Sequence, residues 1–128
     1  VMPGLSAFDF GDSIRFGAAT AAEDEQDLDK MEMDLHLFEI YTRGFLEAAT
    51  NLTEAEVKAL PMGAYTMTLE VATRFLKDYL DGDLYFKVKY PEHNLVRART
   101  QIKLVADMEK KMAQMEAIVS RVAAEIRK

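Results

Sequence analysis

The chain has 128 residues, no cysteine and a formal net charge of −6, with 49% apolar and 30% charged residues. That length suits a single domain burying roughly two-thirds of its unfolded surface. The missing thiols exclude a disulfide framework and thiolate metal ligation, and the acidic balance argues against a nucleic-acid partner, which would call for a basic face. No stretch reaches the ~18 apolar residues that a membrane span needs, so no membrane partner is expected. With no signal peptide recognisable, the expected location is the cytoplasm.

The periodicity predicts helices throughout. Residues 1–7 read as an irregular lead-in, and Asp9 is a candidate N-cap for a short helix through Ile14 and Phe16. Gly17 and the small residues Ala18 to Ala22 close it. Asp27 is the expected cap of the next helix, whose stripe is Leu28, Met31, Leu35, Phe38, Tyr41, Phe45 and Ala48. Thr53 and Glu56 form a capping box for a short helix ending before Pro61. A further helix is expected over about Ala64 to Leu80, with Met67, Val71, Phe75 and Tyr79 on one face and Asp81-Gly82-Asp83 as its stop. Leu84 to Lys89 alternates weakly, but with no second strand to pair with it reads as loop. From Leu95 one long helix is expected to the end, on Ala98, Ile102, Val105, Met112, Met115, Val119, Val122 and Ile126, with Glu109 interrupting the seam and Met108 covering the neighbouring position. The expected class is therefore all-α, a single helical domain with four to five helices.

Charge is unevenly spread. Residues 23–34 carry an acidic run (Glu23, Asp24, Glu25, Asp27, Asp29, Glu32 and Asp34), whereas Arg97 to Lys128 is net basic. Two solvated helix faces would account for this, and so would a charge-matched contact between them.

Several chemistries are excluded by spacing. The six glycines form neither a Walker A loop nor a Gly-x-Gly-x-x-Gly turn. Glu32, His36 and Glu39 share a helix face, but Glu32-x-x-x-His36 does not have the Glu-x-x-His spacing of a di-iron site. Asp81, Asp83 and Glu92 fall at positions 1, 3 and 12 of a calcium loop whose sharp-turn position is Phe86 instead of glycine. No metal-ligating residue is therefore assigned. Arg74 lies beside the apolar stripe of its helix, where it is either a plain exposed arginine or a forked donor aimed at a ligand. Tyr85-Phe86 either anchors its loop to the core or offers rings for a sugar face. Asp9-Phe10-Gly11-Asp12 contains the Asp-Phe-Gly triplet of protein kinases, but none of the eight residues before it is Lys or His.

The ordered series VMPGLSAFDFGDSIRFGAATAAEDE, TLEVATRFLKDYLDGDLYFKV and EHNLVRARTQIKLVADMEKKM resembles the C-terminal part of the N-acetylhexosamine 1-kinases. These belong to the aminoglycoside phosphotransferase and choline kinase-like superfamily. The likeness runs from Val1 to about Ile118. It implies part of the helical C-lobe of a kinase-like fold, whose parent enzyme transfers the γ-phosphoryl group of ATP, with Mg²⁺, to the anomeric hydroxyl of an N-acetylhexosamine. The catalytic and metal-binding aspartates of that family match no residue here and are expected before Val1. No catalytic residue is thus expected in this chain, neither ATP nor Mg²⁺ is expected to bind it alone, and it is expected to be inactive without the missing N-terminal lobe. The resemblance gives Asp9 the role of supporting the catalytic loop, and gives Arg74 and Tyr85 a place in the sugar pocket. The alternative is a non-enzymatic helical interaction module. It would self-associate through exposed apolar faces, either on the long C-terminal helix or on the short helix Asp9–Phe16.

Overall fold

The computed structural model describes residues 3–127, with side chains from residue 9 onward. Its five α-helices are α1 (Pro3–Gly17), α2 (Leu35–Ala48), α3 (Glu54–Lys58), α4 (Leu60–Leu80) and α5 (His93–Ile126). The described residues hold no strand, and one isolated bridge joins Ala19 to Met33. The expected all-α class with a long C-terminal helix is what the chain adopts. At 34 residues, α5 is about 50 Å long and packs against α4, α2 and α3, while α1 lies mainly on α4.

The first helix begins earlier than expected. Proline's fixed φ suits a first turn where its missing N–H costs nothing, and α1 starts at Pro3. The irregular lead-in expected over residues 1–7 therefore holds for none of residues 3–7, and Val1 and Met2 lie outside the described residues. Asp9 is consequently mid-helix and exposed, with no N-cap role, and its carbonyl accepts a bond from Ser13 Oγ at 3.3 Å. The Asp-Phe-Gly run serves helix packing. Phe10 is fully buried, 5.8 Å from Phe38 and 5.2 Å from Phe45 between ring centroids. Gly11 lets α1 approach α4 closely, because a Cβ there would come within 2.7 Å of the Gly63 carbonyl oxygen.

Asp27 does cap, but only a 3-10 turn at Leu28–Lys30, through a bond from the Asp29 N–H. The cap of α2 is Asp34, which accepts from the Leu37 N–H at 3.0 Å. Between the 3-10 turn and Asp34 the chain is extended and alternates: Met31 and Met33 are buried, Glu32 is exposed. A period of two within Met-Glu-Met-Asp outweighs the three-and-four spacing that suggested a helix. On α2 the buried residues are Phe38, Thr42 and Leu46, and Tyr41 is exposed. The capping box at Thr53 and Glu56 is present with both of its bonds. Pro61 sits in the first turn of α4, so that helix begins before the expected Ala64. On its inner face Asp78, and not Tyr79, continues the row set by Val71 and Phe75. On α5, Ile102 is exposed and Gln101 is buried in its stead.

The acidic segment lies against α5, where among the described residues Glu23 is the one acid of the run that pairs with a basic side chain of the stretch Arg97 to Lys128, Arg97 at 3.9 Å. Much of the contact is between side chains and backbone. Lys103 Nζ donates to the Met31 carbonyl at 3.2 Å, and Lys111 Nζ to the Met33 carbonyl at 2.6 Å. Asp107 accepts from the Met33 N–H at 2.6 Å and pairs with Lys111 at 2.7 Å. Burial pushes the Asp107 carboxyl up, but these two bonds outweigh it and hold the group below the ordinary carboxylate value.

Two consequences can be measured. Gly44 is exposed in α2 with open space around its Cβ position, so Gly44→Ala should raise stability by about 0.5–1 kcal/mol. Gly11→Ala faces the same helical gain but must separate two helices, and should lose about 1–3 kcal/mol in chemical denaturation. Asp107, with its folded pKa depressed, stabilises the fold above the ordinary aspartate value of 3.8. That stability is lost as the pH falls through the folded value. Asp107→Asn should therefore be less stable at pH 7 and show a flatter acid limb in a pH series of unfolding curves.

Candidate functional site

The site is built where the C-terminal half of α4 meets the start of α5. A small apolar cluster of Val71, Phe75 and Ala98, with Met67 and Phe86 against it, forms its floor. Phe86 is drawn in from the loop to lie 4.7 Å from the Phe75 ring, and Tyr85 stands edge-on to Phe86 at 4.9 Å.

Asp78 holds that loop. Its carboxylate is buried and accepts from the Tyr85 N–H at 2.8 Å, the Phe86 N–H at 2.9 Å and Asn94 Nδ2 at 2.7 Å. Burial pushes its pKa up, but the bonds from Phe86, Tyr85 and Asn94 prevail, so the group stays ionised below the ordinary carboxylate range. The chain turns back towards it through Gly82 at φ 97° and Asp83 at φ 62°, both in the left-handed region. Asp83 tolerates this because its N–H donates to the Asp78 carbonyl at 2.7 Å and its carboxylate accepts from Asn94 Nδ2 at 3.1 Å.

Arg74 and Tyr85 come from different elements, yet both line one open pocket of about 430 Å³ with Lys77, Asp78, Asp81, Leu84 and Phe86. Arg74 is exposed and paired with Glu70 one turn back, and Tyr85 is 83% exposed. The phenol and guanidinium therefore face solvent with donors to offer, beside the Asp81 carboxylate, which Lys77 pairs at 2.6 Å. Phe86 is held inward, so of these two adjacent aromatics one anchors and one projects.

A second pocket of about 560 Å³ adjoins the first, sharing Arg74 and Phe86, and Asp9 is on its wall. Its other polar side chains form a ladder between elements. Arg97 donates to the Asn94 side-chain oxygen and the Lys87 carbonyl, each at 3.0 Å, and lies 5.5 Å above the Phe75 ring. Glu23 joins Arg97, at 3.9 Å, to Arg15, which also pairs with Asp12 at 3.2 Å. Asp12 and Glu23 thus spend their carboxylates on Arg15. Among the described residues no three His, Asp or Glu side chains stand close enough to hold a metal ion.

Sequence reasoning missed Asp78, Asn94, Arg97 and Glu23. Of the two readings of the charge distribution, that of solvated helix faces does not hold for Arg97, Lys103 and Lys111, which are half-buried and bonded. A signal for Asp78 existed: it falls seven residues after Val71 on the inner face of α4, and a carboxylate there must find donors. A scan against protein-family models finds no match to this chain. Among the described residues no helix is long and apolar enough to cross a membrane.

Removing the loop's anchor is the informative change. Asparagine offers one acceptor oxygen and would turn an NH₂ group towards backbone donors. Asp78→Asn should speed amide hydrogen exchange at Tyr85 and Phe86 by about tenfold or more while the helical circular dichroism persists. The same amides should lose protection in the wild type as the pH falls below the ordinary aspartate value, because protonation removes the carboxylate that holds them.

Proposed function

We propose that this chain is the substrate-holding part of the helical lobe of an ATP-dependent kinase that phosphorylates the anomeric hydroxyl of N-acetylhexosamines. The observation that carries the reading is the shared pocket: the two residues that the resemblance names, Arg74 and Tyr85, line one open cavity despite lying on different elements. The Arg74 fork donates to ring hydroxyls or the N-acetyl oxygen, the Tyr85 phenol adds a further donor, and Asp81 accepts from hydroxyls. Holding the sugar this way orients its anomeric oxygen for in-line attack, and positioning supplies much of the rate in such transfers.

In this reading ATP and Mg²⁺ supply the phosphoryl group and its charge neutralisation. Both are held, with the catalytic aspartate, by a nucleotide-binding lobe outside residues 1–128. Asp12 and Glu23, the acids that share a pocket with Asp9, do not fit a metal role, since both are already paired with Arg15. Asp9 supports the catalytic loop from α1, on the wall of the adjoining pocket. The enzyme works in the cytoplasm, where ATP is available.

Two assays test this. Titrating the labelled chain with N-acetylglucosamine or N-acetylgalactosamine to about 50 mM should shift resonances around Arg74, Tyr85 and Asp81, in the weak-affinity range expected of a partial site. Arg74→Ala should weaken that binding by about tenfold or more, because a charge-assisted donor is lost. A coupled ADP-release assay on the chain alone should show no turnover. Turnover by these 128 residues, or shifts confined to another face, would overturn the proposal.

A further inference from the structure

The outward face of α4 carries a second apolar row that the fold leaves bare. Met62, Thr66, Leu69, Thr73, Leu76 and Leu80 succeed one another at intervals of four, three, four, three and four, and all six are exposed. The inner face of the same helix is already spent: Ala64, Thr68, Val71 and Phe75 are buried in the domain, on the opposite side of the helix. A single apolar stripe suffices to dock a surface helix. An alternating three-and-four row is the spacing by which two helices interlock side chains at a shallow crossing angle. This row runs for about 27 Å at 1.5 Å per residue, with Leu80 74% exposed and Met62 53% exposed.

We infer that this row is a homodimer interface, in which α4 of a second copy lies antiparallel across it. The argument for a second copy is the charge on the flank. In the heptad that sets Met62, Leu69 and Leu76 at position d, and Thr66, Thr73 and Leu80 at position a, Glu70 and Lys77 occupy the same flanking position e, one heptad apart. Antiparallel pairing brings e against e of the partner helix. A register centred between Thr73 and Leu76 then sets each Glu70 against a Lys77 and each Thr73 against a Leu76, small beside large. Leu69 meets Leu80 at the ends, so the overlap runs from Leu69 to Leu80 and Met62 and Thr66 lie beyond the end of the partner's α4. A parallel pair would set e against g, where Tyr65, Ala72 and Tyr79 offer no opposite charge. Glu70 and Lys77 now pair with Arg74 and Asp81 on their own helix, at exposed positions. Such pairs exchange partners at little cost. The apolar row lies outside the residues assigned to the ligand, whereas its charged flank borders them, with Lys77 lining the pocket and Glu70 pairing Arg74, so the Leu69→Glu/Leu76→Glu variant is the one that tests the dimer apart from the sugar reading.

Sedimentation velocity on the 128-residue chain, from about 1 to 200 µM, is the test, covering the affinity range of modest helix-pair interfaces. The expected result is a concentration-dependent species of twice the 14.5 kDa chain mass. Leu69→Glu with Leu76→Glu should return it to monomer with unchanged helicity, because both side chains are exposed and not part of the core. Glu70→Lys should weaken the dimer about tenfold by placing lysines together, and adding Lys77→Glu should restore it. A monomer across the whole range overturns the inference. So does a dimer indifferent to the Leu69→Glu/Leu76→Glu variant, and a dimer insensitive to the charge swap overturns the antiparallel register. Loss of hexosamine binding with the dimer intact would count only against the sugar reading.

Discussion

Two stretches of this chain, residues 18–34 and 81–92, have no helix of their own to satisfy most of their backbone groups, and the structure depends on how that debt is met. A buried peptide group left without a partner costs as much as a lost hydrogen bond. Side chains on α4 and α5 provide the partners. Asp107, Lys111 and Lys103 take the N–H and carbonyls of Met31 and Met33. Asp78 takes the amides of Tyr85 and Phe86, Arg97 the carbonyl of Lys87, and His93 Nδ1 accepts from the Lys89 N–H at 3.2 Å. The last of these fixes the ring: with Nδ1 accepting, Nε2 carries the hydrogen that Asp24 receives at 3.0 Å, and that bond draws the Asp24 carboxyl below its ordinary pKa. One imidazole thus ties both irregular stretches to the start of α5.

The candidate site inherits its shape from this arrangement. Arg74 stands on a 21-residue helix packed against both α1 and α5, and Tyr85 projects from a loop whose two amides are held by a buried carboxylate. Functional side chains on loops need such a scaffold to be positioned. The neighbouring ion-pair ladder from Asp12 through Arg15 and Glu23 to Arg97 is partly buried. Removing one member would strand another charge, a larger penalty than the pair itself contributes.

Helix content and most of the core were legible in the sequence because apolar spacing and caps are local signals. Thr53 with Glu56, Phe38 on α2, and Val105, Met115, Val119 and Val122 on α5 could be read from spacing alone. What escaped depended on partners distant in sequence. Met31 and Met33 are extended because α5 bonds their peptides, information carried some seventy residues away. The start of α1 escaped because Asp9 is a good cap residue while Pro3 is a better first-turn residue. Of the candidate site, Arg74 and Tyr85 were proposed through resemblance, and that both line one pocket follows from the turn at Gly82 and Asp83. The supporting Asp78, Asn94 and Arg97 were not found, since a buried polar residue looks like a surface one until its partners are known.

The central claim is that Asp78 shapes a ligand site by fixing the loop that carries Tyr85. It is tested most directly by hexosamine affinity of the Asp78→Asn chain, measured by the same resonance titration as the wild type. Asp78 is not expected to touch the sugar, so the account predicts that binding weakens about as much as when Arg74 is truncated, with helicity retained. Affinity equal to wild type in a folded Asp78→Asn chain would contradict it.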